Sequence, residues 1–256
     1  SEVVTRWVAP SVGSVIGVAM FLAPMPEVRR ARASGDLQGL NPLPYPAIFA
    51  NCLGWMVYGA MKRDWFVFLP NHIGLLLGTF YIFSVYPAAS PQLRRRMDAI
   101  MLGALALMGG VGAAITIPET PMSRAAKEAA WAYMTNLVLL CYYAAPLSSL
   151  AQVVRTRSSA SLSLPLICMN FLNGVCWFVY GLAVRDYFIA APNGVGAVFA
   201  CVQLALFLAF CGKTRRLKRS RSDRSEGDIR MSRSASSGNL LEGYGDRSSE
   251  AAGAQV

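Results

Sequence analysis

Charge is scarce in this sequence. Only 15% of its 256 residues are Asp, Glu, Lys or Arg, 54% are hydrophobic, and the mean hydropathy is +0.40; a soluble domain carries about 25% charged residues. The deficit is uneven: residues 1–212 hold 14 basic and 8 acidic side chains, and residues 213–256 hold 10 and 6. An apolar body with a charged tail excludes a water-soluble enzyme. Histidine is nearly absent, with His72 alone, and no nucleophile–base pair or phosphate-cradling glycine loop accompanies it. The chain therefore reads as no enzyme, with no cofactor, no metal site and no nucleic-acid partner. No Asn-x-Ser/Thr acceptor occurs. The six cysteines (Cys52, Cys141, Cys168, Cys176, Cys201, Cys211) all lie in apolar stretches, which is neither a disulfide framework nor a metal-ligand spacing. They read as small packing residues. The last apolar stretch holds no lysine, which excludes a retinal Schiff base, and no receptor-type motif is present.

Seven charge-free stretches divide the body: 7–26, 37–61, 65–93, 99–118, 129–154, 158–184 and 187–212. A hydrocarbon core about 30 Å thick needs about 20 apolar residues of helix, and backbone groups in lipid must bond internally. Seven transmembrane helices are expected, the first acting as its own insertion signal. Between them, 14 Lys/Arg fall on the side of Arg29, Arg94, Arg155 and the tail, against six on the side of Arg6, Lys62 and Arg185. Positive charge marks the cytoplasmic side, so the N-terminus is expected outside and the tail inside.

Shifted by 122 residues, the sequence matches itself without a gap from 49 to 74. Phe49, Asn51, Trp55, Val57, Tyr58, Gly59, Arg63, Asp64, Phe66, Pro70, Asn71 and Gly74 fall on Phe171, Asn173, Trp177, Val179, Tyr180, Gly181, Arg185, Asp186, Phe188, Pro192, Asn193 and Gly196. Pro24 falls on Pro146 at the same offset. Helices 1–3 and 5–7 thus form a duplicated unit, and helix 4 is left over. Three crossings end on the far side, so one extra crossing restores orientation and makes the repeats parallel, an arrangement known among transporters. The fold class expected is an all-α integral membrane protein: two parallel three-helix bundles joined by a linker helix. Residues 1–98 form the first repeat with its cytoplasmic loop, 99–128 the linker helix and outer loop, 129–212 the second repeat, and 213–256 a disordered cytoplasmic tail. Glycines and alanines of helix 4 (Gly103, Ala104, Ala106, Gly109, Gly110, Gly112, Ala113, Ala114) are expected to let the tether pack closely. The tail's basic start favours anionic lipid; Arg233-Ser234-Ala235-Ser236 and Lys218-Arg219-Ser220 leave a kinase-regulated reading open beside a plain solvated flank.

Distance from the nearest charge gives depth. Trp55, Asn71, Trp177 and Asn193 each lie seven or eight residues from an outer-loop charge, roughly 10–12 Å below the boundary at about 1.5 Å per residue. Asn51, Trp55 and Tyr58 share one helical stripe, as do Asn173, Trp177 and Tyr180. Polar groups at such depth line a water-filled path or face protein; interhelical hydrogen bonding by the asparagines and an interfacial belt of tryptophans are the other readings. Pro24, Pro44, Pro146 and Pro165 lie roughly 8–13 Å from the inner boundary. Each would kink its helix in mid-span, which suggests hinges of an inner gate, ordinary proline tolerance in membrane helices being the other reading; Pro46 and Pro87 lack repeat mates. No ionised residue lies mid-span, and His72, beside Asn71, reads as packing rather than a proton relay. Downhill uniport is therefore expected.

These strings resemble the SWEET family of sugar transporters. The likeness rests on Pro44-Tyr45, Asn51-Cys52, Trp55-x-x-Tyr58-Gly59 and Pro70-Asn71-x-x-Gly74. Ala145-Pro146-Leu147, Trp177-Phe178-Val179-Tyr180-Gly181, Arg185-Asp186 and Pro192-Asn193-Gly194-x-Gly196 carry it in the second half. It covers roughly residues 7–212. The resemblance implies that Asn71 and Asn193 hydrogen-bond sugar hydroxyls, that Trp55 and Trp177 stack on the pyranose, and that Asn51 and Asn173 set pocket size. It makes Pro24, Pro44, Pro146 and Pro165 the inner-gate tetrad and Tyr58, Tyr180 and Asp186 the outer gate. It further implies facilitated transport of a mono- or disaccharide by a homo-oligomer in the lipid bilayer of the plasma membrane. Asn at 51 and 173 favours a hexose such as glucose, whereas small Ala23 and Ala145 enlarge the pocket. The spacing departs at one place: Pro44 precedes Trp55 by 11 residues and Pro165 precedes Trp177 by 12. A related 3+1+3 carrier that exports amino acids is the alternative; it carries Pro-Gln where this chain has Pro24-Met25 and Pro146-Leu147.

Overall fold

The computed structural model describes residues 2–117, 121–159 and 162–211, with side chains over 141–149 left out. The expected tail at 213–256, the side chain of Pro146 and that of Cys141 therefore lie outside the described residues. All regular elements among the described residues are helical. A π-helical turn (Val4–Val8) leads into α1 (Ala9–Leu22), followed by α2 (Met25–Ser34), α3 (Pro44–Lys62), α4 (Trp65–Val85) and α5 (Pro91–Thr116). Then come α6 (Arg124–Thr156), α7 (Leu164–Ala183) and α8 (Tyr187–Cys211). Because α1 and α2 form one crossing broken at Pro24, the crossings number seven.

Five of them are long and apolar enough to span by composition: Val4–Ser34, Trp65–Ala88, Pro91–Thr116, Leu164–Ala183 and Tyr187–Cys211. The remaining two are α3, which is largely covered by protein, and α6, which still exposes Tyr133, Leu137 and Leu140. Tyr45, Pro46, Ala50, Cys52, Gly54, Trp55, Tyr58 and Gly59 of α3 are buried, and α6 carries Arg124, Lys127 and Glu128 in its opening turns.

Among the described residues α1 packs against α7 and α3 against α6 across the repeats, and the π-helical turn at Val4–Val8 also touches α7. The offset of 122 converts the first packing into the second, so the repeats meet about a pseudo-two-fold axis. Helix α5 leans on α3 and α6 and so touches both repeats. Its glycines are not what seats it. Around a side chain added at Gly103, Gly109 or Gly110 there is open space, and only Gly112 comes near a neighbour, Trp131, at 3.5 Å. The packing face is Met97, Met108 and Ile115, spaced by three turns and then two, so the expected small-residue packing is corrected for the glycines, while Ala104 does pack against the core on this face. Nor are all the cysteines packing residues: Cys52 is buried, but Cys168 and Cys201 lie exposed on the apolar exterior, where a small side chain meets no packing demand.

The expectation of mid-span proline kinks is corrected for Pro44 and Pro165. At Pro24 the first crossing does break, between α1 and α2. Pro44 opens α3, and Pro165 sits in the first turn of α7. In a first turn the missing N–H has no intrahelical partner to lose, so these prolines start helices. Depth measured from Asp36 and Arg157 misplaced Pro44 and Pro165, because residues 36–43, 157–159 and 162–163 run outside the helices and do not advance 1.5 Å per residue. The prolines inside helices are Pro70 in α4, Pro192 in α8 and Pro146 in α6, the one gate candidate that keeps its expected mid-helix place.

The Gly-x-x-x-Arg-Asp string shared by the repeats is one turn used twice. Arg63 and Arg185 take left-handed conformations with φ of 55° and 56°, and the N–H groups of Asp64 and Asp186 donate to the Gly59 and Gly181 carbonyls at 2.8 and 2.7 Å. The returning helix then crosses hard against the glycine. A Cβ on Gly59 would sit 2.8 Å from the Phe68 nitrogen, and one on Gly181 2.6 Å from that of Ala190. Backbone cannot yield as a side chain can, so Gly59→Ala and Gly181→Ala should each cost about 1–3 kcal/mol or more of stability. Thermal unfolding of the detergent-solubilised protein would register this as a lowered midpoint relative to Gly103→Ala, which meets nothing within 4 Å.

Candidate functional site

The half of the space between the repeats nearest Arg63 and Arg185 is a tightly packed core. Trp55, Tyr58, Val67, Met108, Ile115, Trp131, Met134, Tyr180 and Ile189 bury one another there, drawing on α3 through α8. Across this core run two reciprocal hydrogen bonds: the Tyr58 hydroxyl donates to Asp186 Oδ2 and the Tyr180 hydroxyl to Asp64 Oδ2, both at 2.7 Å. The other oxygen of each aspartate caps its own helix. Asp64 Oδ1 accepts from the N–H groups of Phe66 and Val67 at 3.0 and 3.2 Å, and Asp186 Oδ1 from those of Phe188 and Ile189 at 3.1 and 3.4 Å. Each carboxylate thus fixes the start of one repeat's third helix and ties it to the other repeat's second.

Ion pairs extend one of these contacts. Lys62 Nζ lies 3.5 Å from Asp186 Oδ2 and 3.7 Å from Glu128 Oε2, while Arg124 Nε pairs with Glu128 Oε1 at 2.9 Å and its guanidinium donates to the Met61 carbonyl at 2.9 Å. The repeat mate of Lys62 is Val184, so this extension occurs on one side only.

Just below the tyrosines lies a cavity of about 130 Å³, lined by Asn51, Trp55, Val67, Asn71, Leu139, Trp177, Ile189 and Asn193. Five of the six substrate-binding candidates meet there. The sixth, Asn173, is not in the lining and turns toward α1, its Oδ1 at 3.7 Å from where a Cβ of Gly17 would be. Trp55 and Trp177 each stand edge-on to the tyrosine three residues later, at 5.7 and 5.9 Å between ring centroids. The Asn71 amide donates to the Val67 carbonyl and that of Asn193 to the Ile189 carbonyl, both at 2.8 Å. That bond fixes each side chain and leaves its carbonyl oxygen and one N–H unclaimed. Asn51 Oδ1 is buried without a partner. His72 does not reach the cavity; it stacks on Phe68 at 5.8 Å.

A larger cavity, about 670 Å³, continues toward the arginine-rich end, and Asn193 lines both. Its walls include Pro24, Pro44, Tyr45, Ile167 and Gln203. Two inner-gate candidates thus border it, while Pro165, one residue from Leu166 in the wall, does not. In this arrangement the path is bonded shut at the tyrosine end and hollow at the other.

Three residues outside the sequence candidates complete the geometry. Asp64, partner of Tyr180, was signalled by its identity with Asp186 in the repeat. Ser14 and Asn136, also mates at offset 122, are less legible because their side chains differ. Pro70 and Pro192 leave the carbonyls of Phe66 and Phe188, four residues back, without their helical donors. Ser14 Oγ donates to the first and Asn136 Nδ2 to the second, each at 3.4 Å. Each proline break, next to a lining asparagine, is satisfied from the first helix of its own repeat.

The eight lining residues carry no formal charge. Carboxamides offer donor and acceptor in one group, indoles offer flat apolar faces, and Val67, Leu139 and Ile189 complete an uncharged pocket suited to a small neutral polyol. The model for sugar efflux transporters for intercellular exchange (MtN3/saliva) matches residues 10–90 and again 132–215, two segments that begin 122 residues apart. The chain belongs to the SWEET family. The SWEET proteins to which it is similar include the bidirectional sugar transporter SWEET15 of Oryza sativa subsp. indica. The two are 32% identical over 203 residues, 78% of this chain and 63% of that protein, so the chain spans less than two thirds of its length. The bidirectional sugar transporter SWEET7 of Arabidopsis thaliana is 29% identical over 224 residues, 85% of each chain. The solved structure of a eukaryotic SWEET transporter superposes with a TM-score of 0.71 over 82% of this chain and 99% of that one, at 24% identity, which establishes the shared fold.

Tyr58 and Asp186 are both buried, so their bond is worth about 1.5–3 kcal/mol. Tyr58→Phe should loosen the outer end. A cysteine at Val67, in the lining, should react with a membrane-impermeant maleimide from the tyrosine side about tenfold faster than in the parent.

Proposed function

We propose that this chain moves a sugar, a hexose such as glucose, down its gradient across a membrane by alternating access between the two repeats. The observation that carries the reading is the uncharged amide–indole cavity between paired Tyr–Asp bonds on one side and a wide vestibule on the other. Asn71 and Asn193 meet the hydroxyls with the polar atoms their own helices leave free. Trp55 and Trp177 take the apolar faces of the ring, and Asn51 adds an acceptor; Asn173 would join them only by turning away from α1. Tyr58, Tyr180 and Asp186, with Asp64, form the outer gate, and Pro24, Pro44, Pro146 and Pro165 belong to the inner one.

Uniport fits the lining, because a coupled pump keeps an ionisable group in its path. The finer reading takes residues 1–98 and 129–212 as the moving repeats, 99–128 as the tether and 213–256 as a cytoplasmic tail. It places the N-terminus outside and a homo-oligomer in the plasma membrane, following the Lys/Arg asymmetry and the family resemblance. The amino-acid exporter is the second reading, and it is disfavoured because a zwitterion would find no charged partner among the lining residues.

Labelled glucose counterflow in proteoliposomes tests this at two pH values. Saturable flux should be the same at both and should fall by 10²-fold or more in Asn193→Ala, as expected where a site built to bond a hydroxyl loses that bond. Flux untouched by Asn193→Ala, or replaced by amino-acid counterflow, would refute the assignment.

A further inference from the structure

The two halves of the cavity wall are not equivalent, and the difference lies in the helices behind them. Behind Trp177 and Asn173 runs α1 with Gly13 and Gly17, one turn apart. A Cβ on Gly13 would lie 3.0 Å from Trp177 Nε1 and 3.2 Å from the Cys176 Cβ, and one on Gly17 3.7 Å from Asn173 Oδ1. These glycines leave a groove into which Trp177 and Asn173 settle. The Asn173 oxygen is buried there without a partner, so space rather than a hydrogen bond draws it back.

The corresponding positions behind Trp55 and Asn51 are Thr135 and Leu139 of α6. Here the volume is reversed. Thr135 is fully buried and fills the space over Gly54 of α3, where an added Cβ would meet its Cγ2 at 2.9 Å. Leu139 reaches into the cavity lining. With no groove behind it, Asn51 stays in the lining, whereas its mate Asn173 does not. Trp55 is 8% exposed and sealed into the core, while Trp177 is only half-buried.

We propose that the Gly13–Gly17 groove on α1, opposed by Thr135 and Leu139 on α6, makes the sugar site lopsided and sets the size and orientation of the sugar it accepts. The ring packs on the fixed Trp55–Asn51–Leu139 wall, and any substituent projects toward Trp177, whose indole is already set back into the Gly13 groove. Leu139 and Gly17 are therefore the specificity-determining pair, one padding its side and the other leaving space on the opposite side. This rests on the sugar-transport reading and deepens it.

The test is labelled glucose counterflow competed by unlabelled glucose, sucrose or a small aryl glucoside. The readout is the ratio of half-inhibiting concentrations, bulky competitor over glucose. One methylene in an apolar pocket is worth at least about tenfold. Leu139→Gly should lower the ratio by about that factor, and Gly17→Leu should raise it comparably. The swap Gly17→Leu/Leu139→Gly should return the ratio toward the parent value by moving the space to the other wall. Gly13→Ala, a smaller change pressing directly on the indole, should raise the ratio should Gly17→Leu fail to fold. A ratio unmoved by Leu139→Gly while glucose counterflow persists, or moved in the same direction by the Leu139 and Gly17 variants, overturns the proposal. No glucose counterflow in the parent protein would instead bring down the sugar-transport reading.

Discussion

A carbonyl released inside a lipid bilayer has no water to turn to, and each unsatisfied group costs several kcal/mol. Among the described residues three helix irregularities release one, and in each of them another helix supplies the donor. At the break before Pro24 the Phe21 carbonyl accepts from the Tyr81 hydroxyl at 2.6 Å. At Pro70 and Pro192 the carbonyls of Phe66 and Phe188 accept from Ser14 and Asn136. These bonds make local irregularity a tertiary commitment. Helix α4 cannot keep its proline without α1 beside it, nor α8 without α6. They also hold steady the stretch of backbone that presents Asn71 and Asn193.

Duplication supplies the same logic at the outer end. One carboxylate oxygen caps a helix and the other accepts from a tyrosine of the opposite repeat, so helix initiation and closure of the path share a residue. The pseudo-two-fold axis produces this twice, and the path between the repeats lies on that axis. Sequence drift has since made the halves unequal. Lys62 and Glu128 brace one aspartate, and Leu139 faces a glycine mate. A site used by an asymmetric ligand gains from such inequality, because a symmetric pocket would offer a sugar two equivalent poses.

An uncharged lining also fits repeated opening and closing. A buried charge would have to be desolvated on each cycle, at several kcal/mol per ion. Amides anchored to their own helices and indoles resting on packed tyrosines change their surroundings at much smaller cost. The charged pairs are kept above the lining, with Arg124 and Lys62 reaching the surface and the buried Asp186 held by Tyr58 and Lys62.

The sequence alone determined the crossings, the tandem repeat, the linker helix and five of the eight lining residues. All of these follow from where charge is absent and from an offset of 122, both written along the chain. The identity of Asp64 with Asp186 was legible in the same way, although the partners of the two carboxylates were not. Tertiary structure decided what depends on facing directions and loop paths. Pro44 and Pro165 begin helices because residues 36–43, 157–159 and 162–163 leave the helical path, which no count from the nearest charge can detect. The linker helix seats on Met97, Met108 and Ile115 rather than on its glycines. Asn173 leaves the cavity because Gly17, 156 positions earlier, leaves a gap behind it. Leu139 enters the lining because its own neighbours leave no gap. Periodicity records which residues share a helix face; only packing decides how much room lies opposite that face, since that volume belongs to another helix.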